Sequence, residues 1–285
     1  MTTRSFVSLV AALLCVIHLV TAANPRWNQH FKVIWGKHHV RETNNGQSMQ
    51  MVLDKSSGSA FQSYERYKFG YLSVRMKLVP NNSAGVVTTL YLSSTSSNHD
   101  ELDFEFLGNK SGQPYILHTN IFVNGVGSRE TRYSLWFDPA KDFHTYAFLW
   151  NRHQIVFFVD SIPVRVLRNT PTTIYPSQPM YVYGSIWNGD NWATRGGLDK
   201  IDWNSAPFLA EIGSYNLDSC PWSDPFPLCI TTTWEKWWDQ PGSWTLSPSQ
   251  RSSYLWVQKN FLIYDYCTDA KRYPVPPKEC KLSPW

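Results

Sequence analysis

Residues 99–108 read His99-Asp100-Glu101-Leu102-Asp103-Phe104-Glu105-Phe106-Leu107-Gly108. In a β-strand successive side chains alternate between two faces, so Leu102, Phe104 and Phe106 turn one way and His99, Glu101, Asp103 and Glu105 the other. One face is core; the other is a row of carboxylates. The surrounding sequence supports a strand here. From Phe31 to about Ile212, short runs rich in β-branched and aromatic residues alternate with turn clusters, as at 69–76, 86–92, 155–159 and 180–187. With no internal repeat and no helix period in this span, the expected fold is all-β, a sandwich or jelly roll in a single domain.

The last seventy or so residues differ. Ser247-Pro248-Ser249-Gln250 supplies an N-cap, a proline at the first helical position and a glutamine three residues past the cap. Tyr254, Val257 and Phe261 then recur on one side, which predicts a helix over 248–260. A strand follows at 261–266. This tail has too few apolar residues for a core of its own and reads as an extension packed on the main sandwich.

The chain has 285 residues, 42% hydrophobic, 15% aromatic and 17% charged, which excludes disorder, coiled coil and collagen. Lys+Arg number 26 against 22 Asp+Glu, and no basic run is dense enough to track a phosphate backbone, so no nucleic-acid partner is expected. Residues 1–23 carry one early positive charge at Arg4, an apolar run and a small-residue end at Thr21-Ala22-Ala23, the pattern of a secretory signal peptide. The run is too short for a membrane span, and none is expected later. Cleavage near Ala23 would remove Cys15 and leave four cysteines. Of their three pairings, Cys220 with Cys229 and Cys267 with Cys280 close the shortest loops and are preferred, each stabilising by roughly 2.5–3 kcal/mol. Sequons at Asn81 and Asn109 fit the same export route.

The acidic row admits more than one reading. It is either a solvent-facing edge or a catalytic pair, and like charges side by side on a strand weigh against the first. A metal site from His99, Glu101 and Asp103 is disfavoured because ligands strung along one strand converge poorly. Glycoside cleavage with retention needs one ionised carboxylate as nucleophile and one protonated carboxyl as acid, ~5 to 5.5 Å apart. Glu101 and Glu105 are about 13 Å apart along an extended strand. Only a strand bent round a cleft, with both side chains leaning inward, closes that gap. Asp103 sits between them, where its charge would hydrogen-bond the nucleophile and help to separate their pKa values. Spacing alone does not assign the roles.

At residues 99–111 the sequence resembles the xyloglucan endotransglucosylase/hydrolase proteins of plant cell walls, in glycoside hydrolase family 16. The resemblance continues through 114–120, 135–139, 143–146, 192–197 and 266–272 and covers nearly all of the mature chain. It implies a curved, concanavalin-like jelly roll with a long cleft, Glu101 as nucleophile, Glu105 as acid/base and Asp103 as the supporting carboxylate. It also implies substrate contacts from Glu105, His118, Thr119, Asn120, Ser128, Arg129, Glu130, Asn191, Trp192, Gly196 and Arg272. Departures from the commonest pattern of the family at Asn124, at Asn191 and over 175–181 all fall outside the catalytic row.

The expectation is therefore a signal peptide at 1–23, a catalytic jelly roll at 24–212 and a disulfide-bonded extension at 213–285. The resemblance implies an extracellular, monomeric cell-wall and apoplast enzyme that needs no cofactor or metal. It would cut xyloglucan and pass the covalent intermediate to another xyloglucan chain or oligosaccharide. The alternatives are a xyloglucan or mixed-linkage-glucan endohydrolase, separated by competition between acceptor and water, and a lectin-like sandwich, separated by binding without turnover.

Overall fold

A computed structural model of the protein describes residues 25–223 and 228–285. The expected signal peptide lies outside the described residues. After a short helix α1 (Trp27–His30), the strands are β1 (Phe31–Trp35), β2 (Val40–Thr43), β3 (Ser48–Leu53), β4 (Ser59–Lys77), β5 (Val86–Ser93), β6 (Glu101–Leu107) and β7 (Ile116–Phe122). Then come β8 (Thr131–Ser134), β9 (His144–Trp150), β10 (Gln154–Val159), β11 (Ile162–Arg168), β12 (Met180–Asn188) and β13 (Phe208–Trp222). Helix α2 (Pro248–Asn260) and β14 (Leu262–Asp265) complete the order.

The 19-residue strand β4 joins two layers. Its first part, from Ser59 to Tyr67, pairs with β12, and its second, from Gly70 to Met76, pairs with β9. Between them Phe69 and Gly70 take positive φ, 67° and 146°. Gly70 is required there, because a Cβ would lie 2.3 Å from Cβ of Ser219 on the neighbouring β13. One layer continues β12-β5-β6-β7-β8-β14; the other continues β9-β10-β11. Every pairing described is antiparallel. The architecture is the expected jelly-roll sandwich.

The inward face of β6 meets the second layer directly. The Phe104 ring lies 4.9 Å from Phe148 and 5.2 Å from Phe157, and Phe106 lies 4.5 Å from Tyr146. All five rings are almost fully buried. Burying such side chains is worth about 1.5–3 kcal/mol each, which fixes the face that β6 turns outward. A one-residue slip would put the carboxylates in the core.

Helix α2 starts at its expected capping box: the Ser247 hydroxyl accepts from the Gln250 amide and the Gln250 side chain accepts from the Ser247 amide. Val257 is buried, and Gln258 Nε2 donates to the Val164 carbonyl on β11. Strand β14 then adds to the edge at β8. Disulfides join Cys220 to Cys229 and Cys267 to Cys280. Among the described residues, no helix is long and apolar enough to cross a membrane.

Candidate active site

Strand β6 pairs with β5 and β7 without a register shift, so its alternation holds throughout. On the outer face Glu101, Asp103 and Glu105 line one open pocket of about 310 Å³ with Tyr91, Asn120 and Trp187. Glu101 and Glu105 keep 20% and 21% of their side chains exposed. Asp103 is buried between them.

That burial decides its charge. Loss of water, then the neighbouring carboxylates of Glu101 and Glu105 and a hydrogen bond with Glu101, push the Asp103 carboxyl well above its usual 3.8, against a weaker opposing effect of the Arg165 guanidinium. Burial and the flanking carboxylates thus favour the protonated form of the Asp103 carboxyl.

Two histidines flank the row. His99 Nε2 is 3.7 Å from Glu101 Oε2, and its ring stacks on Phe122 at 5.3 Å. His118 Nδ1 is 3.1 Å from Glu105 Oε2, off the line of a good hydrogen bond, and both of its buried ring nitrogens lack a hydrogen-bonded partner. Behind the row, buried Asp100 accepts from the amides of Asn124, Ser177 and Gln178. It thereby ties two loops to the start of β6.

Register shows site residues that the sequence reading missed. Tyr91 lies opposite Asp103, Thr89 opposite Glu105 and Ser93 opposite Glu101. On β12, Tyr183 lies opposite Tyr91, and their rings stack at 4.8 Å and 8°. Gln62 Nε2 donates to the Tyr183 hydroxyl. The Tyr91 hydroxyl is pushed up by burial and then by the Glu101 charge, so it stays a neutral donor. The signal was the polar alternation of Thr89, Tyr91 and Ser93 and of Tyr181, Tyr183 and Ser185 within runs already read as strands. The register of β5 on β6, and of β12 on β5, was not visible.

The expected contact residues separate into groups. His118 and Asn120 lie opposite Glu105 and Asp103 on the acidic face. Thr119 takes the inward period-2 position, where Oγ1 is bonded to Thr131 Oγ1 at 2.7 Å and to Arg165 Nη1 at 2.8 Å. Arg129 Nε donates to Glu279 Oε1 at 2.8 Å and its Nη1 to the Val126 and Gly127 carbonyls, so the guanidinium ties a loop to the extension. Ser128 offers its carbonyl to the Tyr273 hydroxyl.

Glu130 receives both Nη atoms of Arg272, at 2.6 and 3.1 Å. Partial burial pushes the Glu130 carboxyl up, but the Arg272 contact and a backbone hydrogen bond outweigh it and hold it below the usual range. Trp192 stands edge-on to the same His118 at 5.7 Å and joins Trp187 and Ile116 over the apolar patch of Val87, Leu107 and Ala193. Thr194 Oγ1 bridges the Gly85 amide and the Gly108 carbonyl and so pins this loop. Asn191 and Gly196 are exposed on the same loop, Gly196 at φ +69° with nothing beside it. Of the sequons, Asn81 is exposed, while the Asn109 amide donates to the Pro114 carbonyl.

The family model for glycosyl hydrolases family 16 matches residues 27–205, and that for the xyloglucan endo-transglycosylase (XET) C-terminus matches 232–280. The chain is 46% identical over 284 residues to probable xyloglucan endotransglucosylase/hydrolase protein 8 of Arabidopsis thaliana, covering 97% of this chain and 93% of that protein. The chain belongs to glycosyl hydrolase family 16, among its xyloglucan endotransglucosylase/hydrolases. Xyloglucan endotransglucosylase protein 2 of Diospyros kaki is 47% identical over 285 residues, covering 97% and 96% of the two chains. Among solved structures, a Bacillus licheniformis β-glucanase aligns with TM-score 0.55 and 25% identity over 65% of this chain and 90% of its own. The apo Crh5 transglycosylase aligns at 0.56 and 26%, over 67% and 78%. This family 16 chain is thus an enzyme of the glycosidase and transglycosylase class.

Proposed function

We propose that the enzyme cuts the β-1,4-glucan backbone of xyloglucan with retention and transfers the fragment to another xyloglucan chain. Glu101 attacks the anomeric carbon while Glu105 gives its proton to the leaving oxygen, and a glycosyl ester forms on Glu101. Glu105, now ionised, removes the proton from an acceptor hydroxyl, which displaces Glu101 and closes the cycle. Protonated Asp103 orients Glu101 through their hydrogen bond and eases its departure. Trp192 and Trp187 offer flat apolar faces to pyranose C–H groups.

The single observation that carries the transfer reading is the docking of the C-terminal segment. Arg272 on Glu130, Tyr273 on Ser128 and Glu279 on Arg129 attach it next to the strand that follows His118. It lies where an acceptor chain would enter. In this reading residues 24–212 form the catalytic jelly roll, residues 213–285 the acceptor-side extension, and residues 1–23 direct secretion to the cell wall and apoplast. The protein works there as a monomer with N-glycans at Asn81 and Asn109.

The test supplies xyloglucan donor with a fluorescent xyloglucan oligosaccharide. Label should enter polymer faster than reducing ends appear, and Arg272→Ala should lower that ratio about tenfold while donor cleavage largely persists. Reducing ends released at one rate with and without acceptor, and no label in polymer, would sink the transfer reading and leave hydrolysis.

A further inference from the structure

The sandwich carries a second sugar-like surface on the side away from the carboxylates. Tyr71 on β4, Leu149 on β9 and Phe158 on β10 form part of the outer face of the second layer, since the alternating Phe148 and Phe157 point to the core. The segment from Trp237 to Gln250 partly covers that face and leaves a cavity of about 220 Å³. Below the ~300–1,000 Å³ of a drug-sized site, it has room for little more than one ring.

Three features distinguish this cavity from a packing gap. Trp237 is 51% exposed, yet its Nε1 donates to Asp218 Oδ2 at 2.6 Å and its ring rests 5.3 Å from Tyr71. An exposed aromatic already held in one orientation loses little entropy on binding. Second, the Thr245 hydroxyl lines the cavity, buried and without a hydrogen-bond partner, which native structures rarely tolerate. Third, among the described residues none that line the cavity is charged; the Gln154 and Gln250 side chains already bond the Ser243 carbonyl and the Ser247 amide, which leaves hydroxyls as the polar groups that can meet a ligand. An aromatic plate beside neutral donors and acceptors matches a neutral pyranose, not an anion, a cation or a lipid tail.

We infer that this cavity and the Trp237 ring form a second glycan-binding site, which holds a neutral β-glucan segment on the face opposite the cleft. It gives the enzyme a hold on a polysaccharide that its cleft is not cutting, and it does not depend on the assignment of donor, acceptor or catalytic roles.

The test is titration calorimetry of the full chain with cellotetraose, in a Glu101→Ala background that prevents turnover. Two binding events are expected. Trp237→Ala should weaken one of them about tenfold. Thr245→Val, which removes a buried unpaired hydroxyl and leaves the fold intact, should weaken the same event. With Glu101 restored, both variants should turn over a short oligosaccharide donor at the parent rate. Failure of the cleft reading would show as lost turnover with the second event intact. If Trp237→Ala fails to fold, Thr245→Val alone decides. A binding profile that neither substitution changes, or no binding at all, would overturn the inference.

Discussion

Replacing Arg129 by methionine should loosen the C-terminal extension more than any surface change near it. The Arg129 and Glu279 side chains are only 10% and 7% exposed and meet at 2.8 Å. Without the guanidinium, Glu279 would keep a buried carboxylate with only the Tyr266 hydroxyl at 3.5 Å, the Gly127 carbonyl would lose its Arg129 donor, and the Val126 carbonyl would keep only the Val123 amide. Removing one partner of such a pair costs about 3–5 kcal/mol. At about 2–4 °C per kcal/mol for a chain of this order of size, the melting midpoint falls by about 6–20 °C. Arg129→Met/Glu279→Met removes both charges and should recover most of the loss, because no unpaired ion stays buried. Thermal melts and urea titrations of both singles and the double complete the cycle. A loss below about 1 kcal/mol for Arg129→Met, or a double no more stable than that single, would refute the reasoning.

Glu101→Ala should fold normally and lose several orders of magnitude in turnover, with azide restoring cleavage as an inverted glycosyl azide; near-normal turnover without azide would remove Glu101 from its role. Asp103 gives a pH signature. Its raised native pKa means that the folded state keeps a proton which the unfolded chain releases, so this group's stabilising effect is complete below about 4 and is lost as pH rises through the native pKa. Asp103→Asn keeps a donor toward Glu101 and has no such titration, so urea midpoints should move in favour of the variant as pH rises from 4 to 8. A constant gap would contradict a protonated Asp103.

How far the sequence carried the reading differs from residue to residue. Alternation over 99–108 was enough to place three carboxylates on one face, because apolar Leu102, Phe104 and Phe106 leave β6 a single stable orientation. The cap at Ser247 was equally local. What stayed hidden depends on register between distant strands. Tyr91 comes opposite Asp103 only through the pairing of β5 with β6, and Tyr183 opposite Tyr91 only through that of β12 with β5. Thr119 sits in a contiguous motif with His118 and Asn120, and β7 sends it to the opposite face from those two neighbours. The carboxylate that occupies Arg129 lies 150 positions further along the chain.

The groups around His118 differ in how firmly they are held, and this bears on the competition between an acceptor chain and water. Water stands at ~55 M, so a sugar hydroxyl at far lower concentration wins only if the site confers a large effective molarity, for which well-oriented groups reach about 10⁵–10⁸ M. Orientation of that kind needs a rigid wall. Beside His118, Arg272 grips Glu130 with both Nη atoms, Tyr273 holds the Ser128 carbonyl, Arg129 holds Glu279, and the Cys267–Cys280 disulfide closes the segment that bears these contacts. The Trp192 loop, which packs on the same histidine, is pinned by Thr194, but Asn191 and Gly196 project into solvent. An acceptor there would meet braced groups already fixed in place and, in the Trp192 ring, an apolar plate that tolerates sliding. Weakening any brace would then release the ordering of the acceptor and leave bond cleavage at Glu101 untouched, so the ratio of transfer to hydrolysis would respond before the cleavage rate does.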